Sequence, residues 1–300
     1  MSFAEILILG AGAIGSAYGA FLSSNNAVTL IGRQPHMNAI KEKGLTILGE
    51  TTQTYTLATA TEITNISADT LLIVSVKAHD LHEALSKIQP LIKVDTVLLI
   101  LQNGLGVEEI AQKALKGKGI VVRGIVTIGS EILEPGCIRV RKNPTFLNSD
   151  EFSKRIAKLF KVSGLDAIVS DSFQTEIWRK ATINCVLNPL SAILQAQTHE
   201  LLSPHLDETR KNIIEECIAV GAAEGVELEP GSFDVMYQAL PRYTNRTSMY
   251  QDIQRGRKTE IDFLNGKIVE LGKIHAIATP VNACLTQLIH YLENKKNECG

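Results

Sequence analysis

"ILILGAGAIGSAYG", residues 6–19, is the stretch that decides the fold. An apolar run is followed by three glycines in the spacing G-x-G-x-x-G, and a helical pattern begins among them. In this strand–turn–helix context the spacing is a strong signature of dinucleotide binding. Gly10 permits the tight turn, Gly12 lets the backbone approach a pyrophosphate, and Gly15 lets the helix lie close to the strand.

The anion of such a cofactor is expected at the N-terminus of the helix, where free N–H groups and the helix dipole favour negative charge. The alternative interpretation is an ordinary glycine-rich turn, which the context disfavours. The expected cofactor contacts in this turn are Gly10, Ala11, Gly12, Ala13, Ile14 and Gly15.

The first half of the chain alternates short apolar runs with helical stretches. The runs are continuous rather than alternating, which is typical of strands buried on both faces of a parallel sheet. This rhythm predicts an α/β fold with a Rossmann-type doubly wound parallel sheet. Strands are predicted at 5–10, 27–32, 70–76, 96–101 and 119–129, and helices at 13–24, 79–89 and 106–115.

The second half is predicted to be an all-helical domain. The strand signal fades after a last short apolar run within 162–171, so the predicted domains are 1–169, which binds the nucleotide, and 170–300, which binds substrate and carries the catalytic groups. The predicted helices are 171–187, 190–201, 205–224, 247–274 and 280–294.

The end of the second strand predicts which cofactor is bound. NAD sites usually carry Asp or Glu about 20 residues after the glycines, whereas here Gly32 and Arg33 follow the strand. A guanidinium binds a 2′-phosphate in fork geometry, so NADPH is the expected cofactor, unless Arg33 is a solvated surface residue. Lys77 and Asn103 follow two further strands and are candidates for the same edge of the sheet.

Composition excludes several classes of function. The formal net charge is −2 and the pI is about 6.4, which gives no electrostatic reason to expect nucleic acid or an anionic membrane as a partner. Apolar runs are too short to span a bilayer, and the first residues lack a signal-peptide pattern. The five cysteines are scattered without a CxxC, which disfavours a disulfide framework or a zinc site. We therefore expect a cytoplasmic protein without a resident metal.

One predicted helix carries a polar stripe through an apolar segment. Lys180, Asn184 and Asn188 lie four residues apart in "WRKATINCVLNPLSAI" (178–193), so they share one helix face. Buried amides and charges require partners, either elsewhere in the chain or in a ligand. The alternatives are a surface lysine and a helix that stops or bends before Pro189.

A second polar stripe is predicted in the segment 247–274. Ser248, Asp252, Gly256 and Glu260 follow at four-residue steps, and Thr247 or Asn245 would cap the helix. A glycine inside a helix could open room for a ligand. A solvated helix face with pairs four residues apart is the alternative.

At these positions the chain resembles the ketopantoate reductase (2-dehydropantoate 2-reductase) family. The resemblance runs nearly end to end, and its motifs occur in the family's order. They are "GAGAIG" (10–15), "VKA" (76–78), "QNGLG" (102–106), "WRKATINCVLNPLSAI" (178–193), "NRTSMYQDI" (245–253), "TEIDFLNG" (259–266) and "HAIATPVN" (275–282).

The resemblance implies a reaction and a set of roles. NADPH delivers hydride to C2 of 2-dehydropantoate, giving (R)-pantoate for pantothenate and coenzyme A synthesis. Lys180 is then the general acid, Glu260 binds the substrate hydroxyl, and Asn103 lies between nicotinamide and substrate in a cleft between the domains. Asn184, Asn188, Asn245 and Ser248 are implied substrate contacts, and Lys77 is the implied lysine of the cleft.

Two other functions stay open at this stage. The same scaffold could reduce another branched 2-oxo acid, because only the apolar pocket would differ. A non-catalytic NADPH-binding sensor is the alternative from another class, although its catalytic groups would be expected to be lost. A homodimer also stays open, because periodicity does not distinguish a core face from an interface face.

Overall fold

The computed structural model describes residues 3–49, 52–233 and 244–295. The chain forms two compact units. The first comprises Met1–Gln102 and Val107–Phe173, and the second comprises Asn103–Gly106 and Gln174–Gly300. This division differs from the predicted ranges 1–169 and 170–300, because the chain enters the second unit briefly after Gln102 and then finally after Phe173.

The first unit contains an eight-stranded sheet in the order β12-β11-β8-β7-β6-β1-β2-β5. Neighbouring strands are parallel except for β8 and β11. The five predicted strands form its centre, and their residues are nearly all buried, as continuous apolar runs require. Its strands are β1 (Glu5–Leu9), β2 (Val28–Ile31), β5 (Ala58–Ala60), β6 (Thr70–Val74), β7 (Val97–Ile100), β8 (Ile120–Val126), β11 (Thr145–Asn148) and β12 (Ala167–Ser170).

A second, four-stranded sheet in this unit was not predicted. It has the order β4-β3-β10-β9 and is mainly antiparallel, with β3 and β10 parallel. Its strands are short and partly exposed, so they lack the continuous apolar signal of the larger sheet. They are β3 (Leu45–Leu48), β4 (Gln53–Tyr55), β9 (Gly129–Glu134) and β10 (Cys137–Arg141).

Among the described residues of this unit, five α-helices accompany the sheets. Three agree with the predicted ones, and α2 and α5 were missed. Asp150 caps α5 by accepting a hydrogen bond from the Ser153 amide at 2.8 Å, an Asp-x-x-Ser signal that is visible in the sequence. The helices are α1 (Ala13–Ser23), α2 (Gln34–Lys43), α3 (Leu81–Ile88), α4 (Val107–Leu115) and α5 (Glu151–Val162).

Among its described residues, the second unit contains helices joined by turns and loops and no strand, so the predicted fold class is confirmed. Within the described ranges, no helix has both the length and the apolar character that a membrane span requires. The α-helices are α6 (Phe173–Leu194), α7 (Asp207–Ala223), α8 (Ser248–Gln254), α9 (Asn265–Ile274) and α10 (Pro280–Lys295), with 3₁₀ turns at Thr198–Leu202, Pro204–Leu206, Pro230–Phe233 and Ile261–Phe263.

Two predicted helix boundaries were wrong. The helix expected to break before Pro189 continues as α6 to Leu194. The helix predicted over 247–274 is instead three separate elements, because α8 ends at Gln254 and Gly256 has a φ of +62°. Glycine commonly ends helices in this left-handed conformation. Ser248, Asp252, Gly256 and Glu260 therefore do not share one helix face.

Candidate active site

The glycine turn between β1 and α1 has the close contacts that the motif predicts. Gly10 has a φ of +107°, and a Cβ there would lie 2.6 Å from the amide nitrogen of Val76. A Cβ on Gly15 would lie 2.2 Å from the carbonyl oxygen of Gly10. Neither position accepts a side chain without displacing backbone, so the turn depends on both glycines.

Gly12 differs from Gly10 and Gly15 because a Cβ there would meet nothing within 4 Å. It is the N-cap residue of α1, no side chain caps this helix end, and the first turn carries no acidic residue. Open space beside uncapped amides fits the pyrophosphate of a dinucleotide. Ala11, Ala13 and Ile14 are the remaining residues of the motif in this turn.

Two buried or partly buried polar residues support the turn, and no sequence pattern indicated a role for either of them. The hydroxyl of Ser75 donates to the Gly10 carbonyl at 2.7 Å. The side-chain amide of Gln102 donates to the carbonyls of Val74 and Val76, each at 3.0 Å. Gln102 therefore ties the end of β7 to the end of β6, a role that no local sequence signal announces.

Arg33 and Lys77 both follow strands of the large sheet, as predicted. Arg33 is the N-cap residue of α2, directly after β2 and Gly32, and its side chain is exposed. Lys77 follows β6 at the start of a short 3₁₀ turn and is partly buried. An exposed guanidinium at this strand end is available for a 2′-phosphate.

In the second unit, α6 carries the predicted polar stripe without interruption. Lys180 and Asn184 are partly buried, and Asn188 is buried. Four-residue spacing along one continuous helix keeps these three side chains close to one face.

Lys180, Asn103 and Glu260 meet in one hydrogen-bonded cluster. The Lys180 ammonium donates to Oδ1 of Asn103 at 2.9 Å, and Nδ2 of Asn103 donates to Oε2 of Glu260 at 3.3 Å. The Asn103 amide thus joins a cation to an anion, with its oxygen toward the ammonium and its nitrogen toward the carboxylate.

A close backbone approach places Asn103 beside Glu260. Gly104 has a φ of +94°, and a Cβ there would lie 2.4 Å from the carbonyl oxygen of Phe263. The same carbonyl accepts a hydrogen bond from the Leu105 amide at 2.9 Å. The first glycine of "NGLG" is therefore required for the 103–106 segment to lie against the turn that follows Glu260.

Glu260 is a buried residue with backbone hydrogen bonds on both sides. It is 7% exposed, and its carbonyl accepts from the Phe263 amide at 3.0 Å. The preceding amide, that of Thr259, donates to the Glu293 carboxylate of α10 at 2.6 Å. A buried carboxylate needs a partner, and Asn103 is one.

Asn245 and Ser248 are not part of this hydrogen-bonded cluster. Both are exposed, and the hydrogen bonds of the described residues do not join them to Lys180, Asn103 or Glu260. The backbone carbonyl of Asn245 accepts from the Thr198 amide at 3.0 Å and from its hydroxyl at 2.8 Å. Thr247, one of the two predicted caps, is the N-cap of α8 and accepts from the Tyr250 amide.

The cluster contains the groups that carbonyl reduction needs. An ammonium can stabilise and protonate a developing alkoxide, and a carboxylate can accept a hydrogen bond from a substrate hydroxyl. The thiol of Cys185, on the same helix, is fully buried beside Cys217, and burial raises its pKa. It therefore stays protonated at neutral pH and does not act as a nucleophile.

The fold and the site are those of a dinucleotide-binding oxidoreductase. The family model described as "Ketopantoate reductase PanE/ApbA" matches residues 6–150, and the model described as "Ketopantoate reductase PanE/ApbA C terminal" matches residues 172–293. The chain therefore belongs to the ketopantoate reductase family, as the sequence motifs predicted.

Curated relatives agree over almost the whole chain. The 2-dehydropantoate 2-reductase of Pyrococcus abyssi is 34% identical over 304 residues, covering 97% of this chain and 100% of that protein. The 2-dehydropantoate 2-reductase of Aquifex aeolicus is 34% identical over 302 residues, covering 95% of this chain and 96% of that protein.

Solved structures extend the comparison to bound ligands. A ketopantoate reductase from Ralstonia eutropha is 28% identical with a TM-score of 0.91, covering 98% of this chain and 99% of that one. A D-mandelate dehydrogenase with NADH and anilino(oxo)acetate is 33% identical with a TM-score of 0.90 and the same coverage. The second comparison indicates a nicotinamide cofactor for this fold.

Proposed function

We propose that this protein catalyses the NADPH-dependent reduction of 2-dehydropantoate to (R)-pantoate, in pantothenate and coenzyme A biosynthesis. The observation that carries the proposal is the Lys180–Asn103–Glu260 cluster in a chain of the ketopantoate reductase family. Bound NADPH would supply the hydride that adds to C2 of the substrate.

Lys180 is the proposed general acid. Addition of hydride to C2 turns the carbonyl oxygen into an alkoxide, which must be neutralised as it forms. An ammonium beside that oxygen lowers the barrier electrostatically and then donates its proton. The 2.9 Å hydrogen bond to Asn103 orients the ammonium before substrate binds.

Glu260 is the proposed acceptor for the terminal hydroxyl of 2-dehydropantoate. Glu260 is 7% exposed, and a buried carboxylate is destabilised beside an apolar group and stabilised by a hydrogen bond from a hydroxyl. This argument favours a hydroxylated 2-oxo acid. Amides of Asn184 and Asn188 are proposed to bind the substrate from α6, and Asn245 and Ser248 to bind its polar end.

Arg33 supports NADPH as the cofactor, because its exposed guanidinium follows β2 where NAD sites carry a carboxylate. The glycine turn, with Gly12 at its open position, is proposed to hold the pyrophosphate, and Lys77 to meet an anionic group of cofactor or substrate.

A second candidate is the reduction of another 2-oxo acid. The similarity to D-mandelate dehydrogenase favours it, because mandelate is a 2-hydroxy acid with an aromatic substituent. The Lys180 chemistry would be retained, and the side-chain pocket would differ.

A substrate panel decides between the candidates. Purified protein with NADPH would be offered 2-dehydropantoate, 3,3-dimethyl-2-oxobutanoate, which lacks only the terminal hydroxyl, and phenylglyoxylate. We expect kcat/KM for 2-dehydropantoate to exceed that for the dimethyl analogue by about 100-fold or more, since the analogue leaves Glu260 unpaired with a substrate hydroxyl.

Two other results of this panel would each support a different function. A preference for phenylglyoxylate would replace the proposed substrate and keep the reaction class. NADPH binding without turnover of any acid would favour the non-catalytic sensor.

A further inference from the structure

Pro189 lies inside α6 and removes one of the helix's own hydrogen bonds. Proline has no amide hydrogen, so the carbonyl of Cys185, four residues earlier, lacks its usual helical donor. This carbonyl belongs to the stretch between Asn184 and Asn188. The freed group is buried with its residue, and a buried carbonyl without a donor is costly.

Asn265, the first residue of α9, supplies the missing donor. Its Nδ2 donates to the Cys185 carbonyl at 3.0 Å, and its second amide hydrogen goes to Oδ1 of Asn282 at 2.9 Å. Asn265 and Asn282 are both completely buried. A side chain 80 residues away thus substitutes for the amide hydrogen that Pro189 lacks.

The orientation of Asn265 is determined by its neighbours. Glu216 of α7 accepts hydrogen bonds from the side-chain nitrogen of Asn282 at 2.7 Å and from the backbone amides of Val281 and Asn282 at 2.8 and 2.9 Å. A carboxylate only accepts, so the Asn282 oxygen must face away from it, toward Asn265. Asn265 must then present its nitrogen, as the contact with Cys185 requires.

This arrangement leaves one buried polar atom of Asn265 without a hydrogen bond to any described residue. The side-chain oxygen of Asn265 is buried without a hydrogen-bond partner among the described residues. An unsatisfied buried oxygen destabilises the folded protein, whereas both hydrogens of the same amide are hydrogen-bonded. An apolar side chain at position 265 would avoid the penalty and leave the Cys185 carbonyl without its donor.

We propose that Asn265 is a positioning residue that holds the Pro189 segment of α6, and thereby sets where Asn188 stands relative to Lys180. Asn265 touches neither substrate nor cofactor in this role. It acts through the helix, because a proline without compensation bends or loosens the helix at that point. The inference rests on the proposed reduction of a 2-oxo acid by the groups on α6.

The test is a double-mutant cycle of Pro189→Ala and Asn265→Ala in the full chain. With Pro189 present, Asn265→Ala should raise KM for the 2-oxo acid about 10-fold, with kcat changed less than about threefold and the Kd of NADPH unchanged. In the Pro189→Ala background the helix has its own amide, so the same substitution should change KM less than about twofold. Asn294→Ala, which removes an exposed side-chain bond to the His290 carbonyl, is the matched control and should have no effect.

Two results would overturn the proposal. One is an unchanged KM in folded Asn265→Ala, and the other is an equal rise in KM in both backgrounds. If Asn265→Ala does not fold with Pro189 present, KM is measured for Asn265→Ser in both backgrounds, and the same two results would overturn the proposal.

Failure of the proposed function is seen separately in the wild type. A wild-type protein that binds 2-oxo acids without reducing them refutes the reaction, and the Kd of the acid in the four variants then decides the role of Asn265. A wild-type protein that neither binds nor reduces them refutes both.

Discussion

The Lys180 ammonium donates a hydrogen bond to the side-chain oxygen of Asn103 at 2.9 Å, across 77 residues of sequence. The other end of the same amide donates to Glu260 at 3.3 Å. Asn103 therefore couples the proposed acid to the proposed substrate-binding carboxylate, and the three side chains are expected to act as one unit.

The first prediction concerns this coupling. Asn103→Ala and Glu260→Ala should each lower kcat/KM for the preferred 2-oxo acid about 10- to 100-fold, and the double variant should lose much less than the product of the two. The reason is that either substitution alone already breaks the bridge. Steady-state kinetics of the four proteins at saturating NADPH measure this, and strictly multiplicative losses would contradict it.

The second prediction concerns the glycine turn. Gly12→Ala should fold normally, because its Cβ meets nothing within 4 Å, but the added methyl group occupies the space proposed for the pyrophosphate. We expect the Kd of NADPH to rise about 10-fold or more with an unchanged melting temperature. Gly129→Ala, whose Cβ would lie 3.8 Å from that of Arg141, is the control. A wild-type Kd of NADPH in Gly12→Ala would contradict the placement of the pyrophosphate at this turn.

The third prediction concerns Arg33. Arg33→Ala should raise KM for NADPH about 10- to 100-fold and leave KM for NADH nearly unchanged, since only NADPH carries the 2′-phosphate. The effect should shrink at high salt, because the guanidinium is exposed. Lys41→Ala, an exposed cation on the same helix, should leave both values unchanged. An unaltered cofactor preference in Arg33→Ala would exclude this role.

The fourth prediction concerns pH and the buried His36 of α2. The Gly136 amide donates to its Nδ1 at 3.0 Å, and its Nε2 contacts the Ser16 hydroxyl at 3.0 Å, which requires a neutral ring. Burial lowers the pKa of His36, so the unfolded chain binds the proton more readily than the folded one. Stability should therefore fall as pH decreases through the ordinary histidine pKa of about 6.5 toward the lowered folded value.

Urea unfolding at several pH values measures this dependence. His36→Phe should show a shallower loss of stability between neutral and mildly acidic pH than the wild type does. His205→Phe, at an exposed position, should keep the wild-type slope. Equal slopes in all three proteins would contradict the assignment.

Local sequence patterns predicted the parts of the fold that local forces determine. The buried parallel strands were visible because both of their faces are apolar. The glycine turn was visible because no side chain fits at Gly10 or Gly15. The small sheet was missed because its short strands are partly exposed. The end of α8 was not predicted, because polar residues at four-residue steps are typical of a continuous helix and the left-handed conformation of Gly256 is not visible in that spacing.

The remaining errors have a non-local cause. Pro189 predicts a helix break from its own chemistry, yet α6 continues to Leu194. The carbonyl that Pro189 leaves without a helical donor accepts from Asn265, far along the chain. Asn103 meets Lys180 and Glu260 through a close approach of Gly104 to Phe263. Only the family resemblance grouped these residues in advance, and their catalytic roles stay predictions.

The central claim is tested most directly by comparing the wild type with Lys180→Ala in a single-turnover reaction with NADPH and 2-dehydropantoate. Oxidation of the nicotinamide should be fast in the wild type and slower by about 100-fold or more in the variant, with the Kd of NADPH unchanged. Lys211→Ala, an exposed lysine of α7, is the control. Near-normal oxidation in Lys180→Ala would contradict its role as the general acid, and no oxidation of NADPH by the wild type would contradict the proposed function itself.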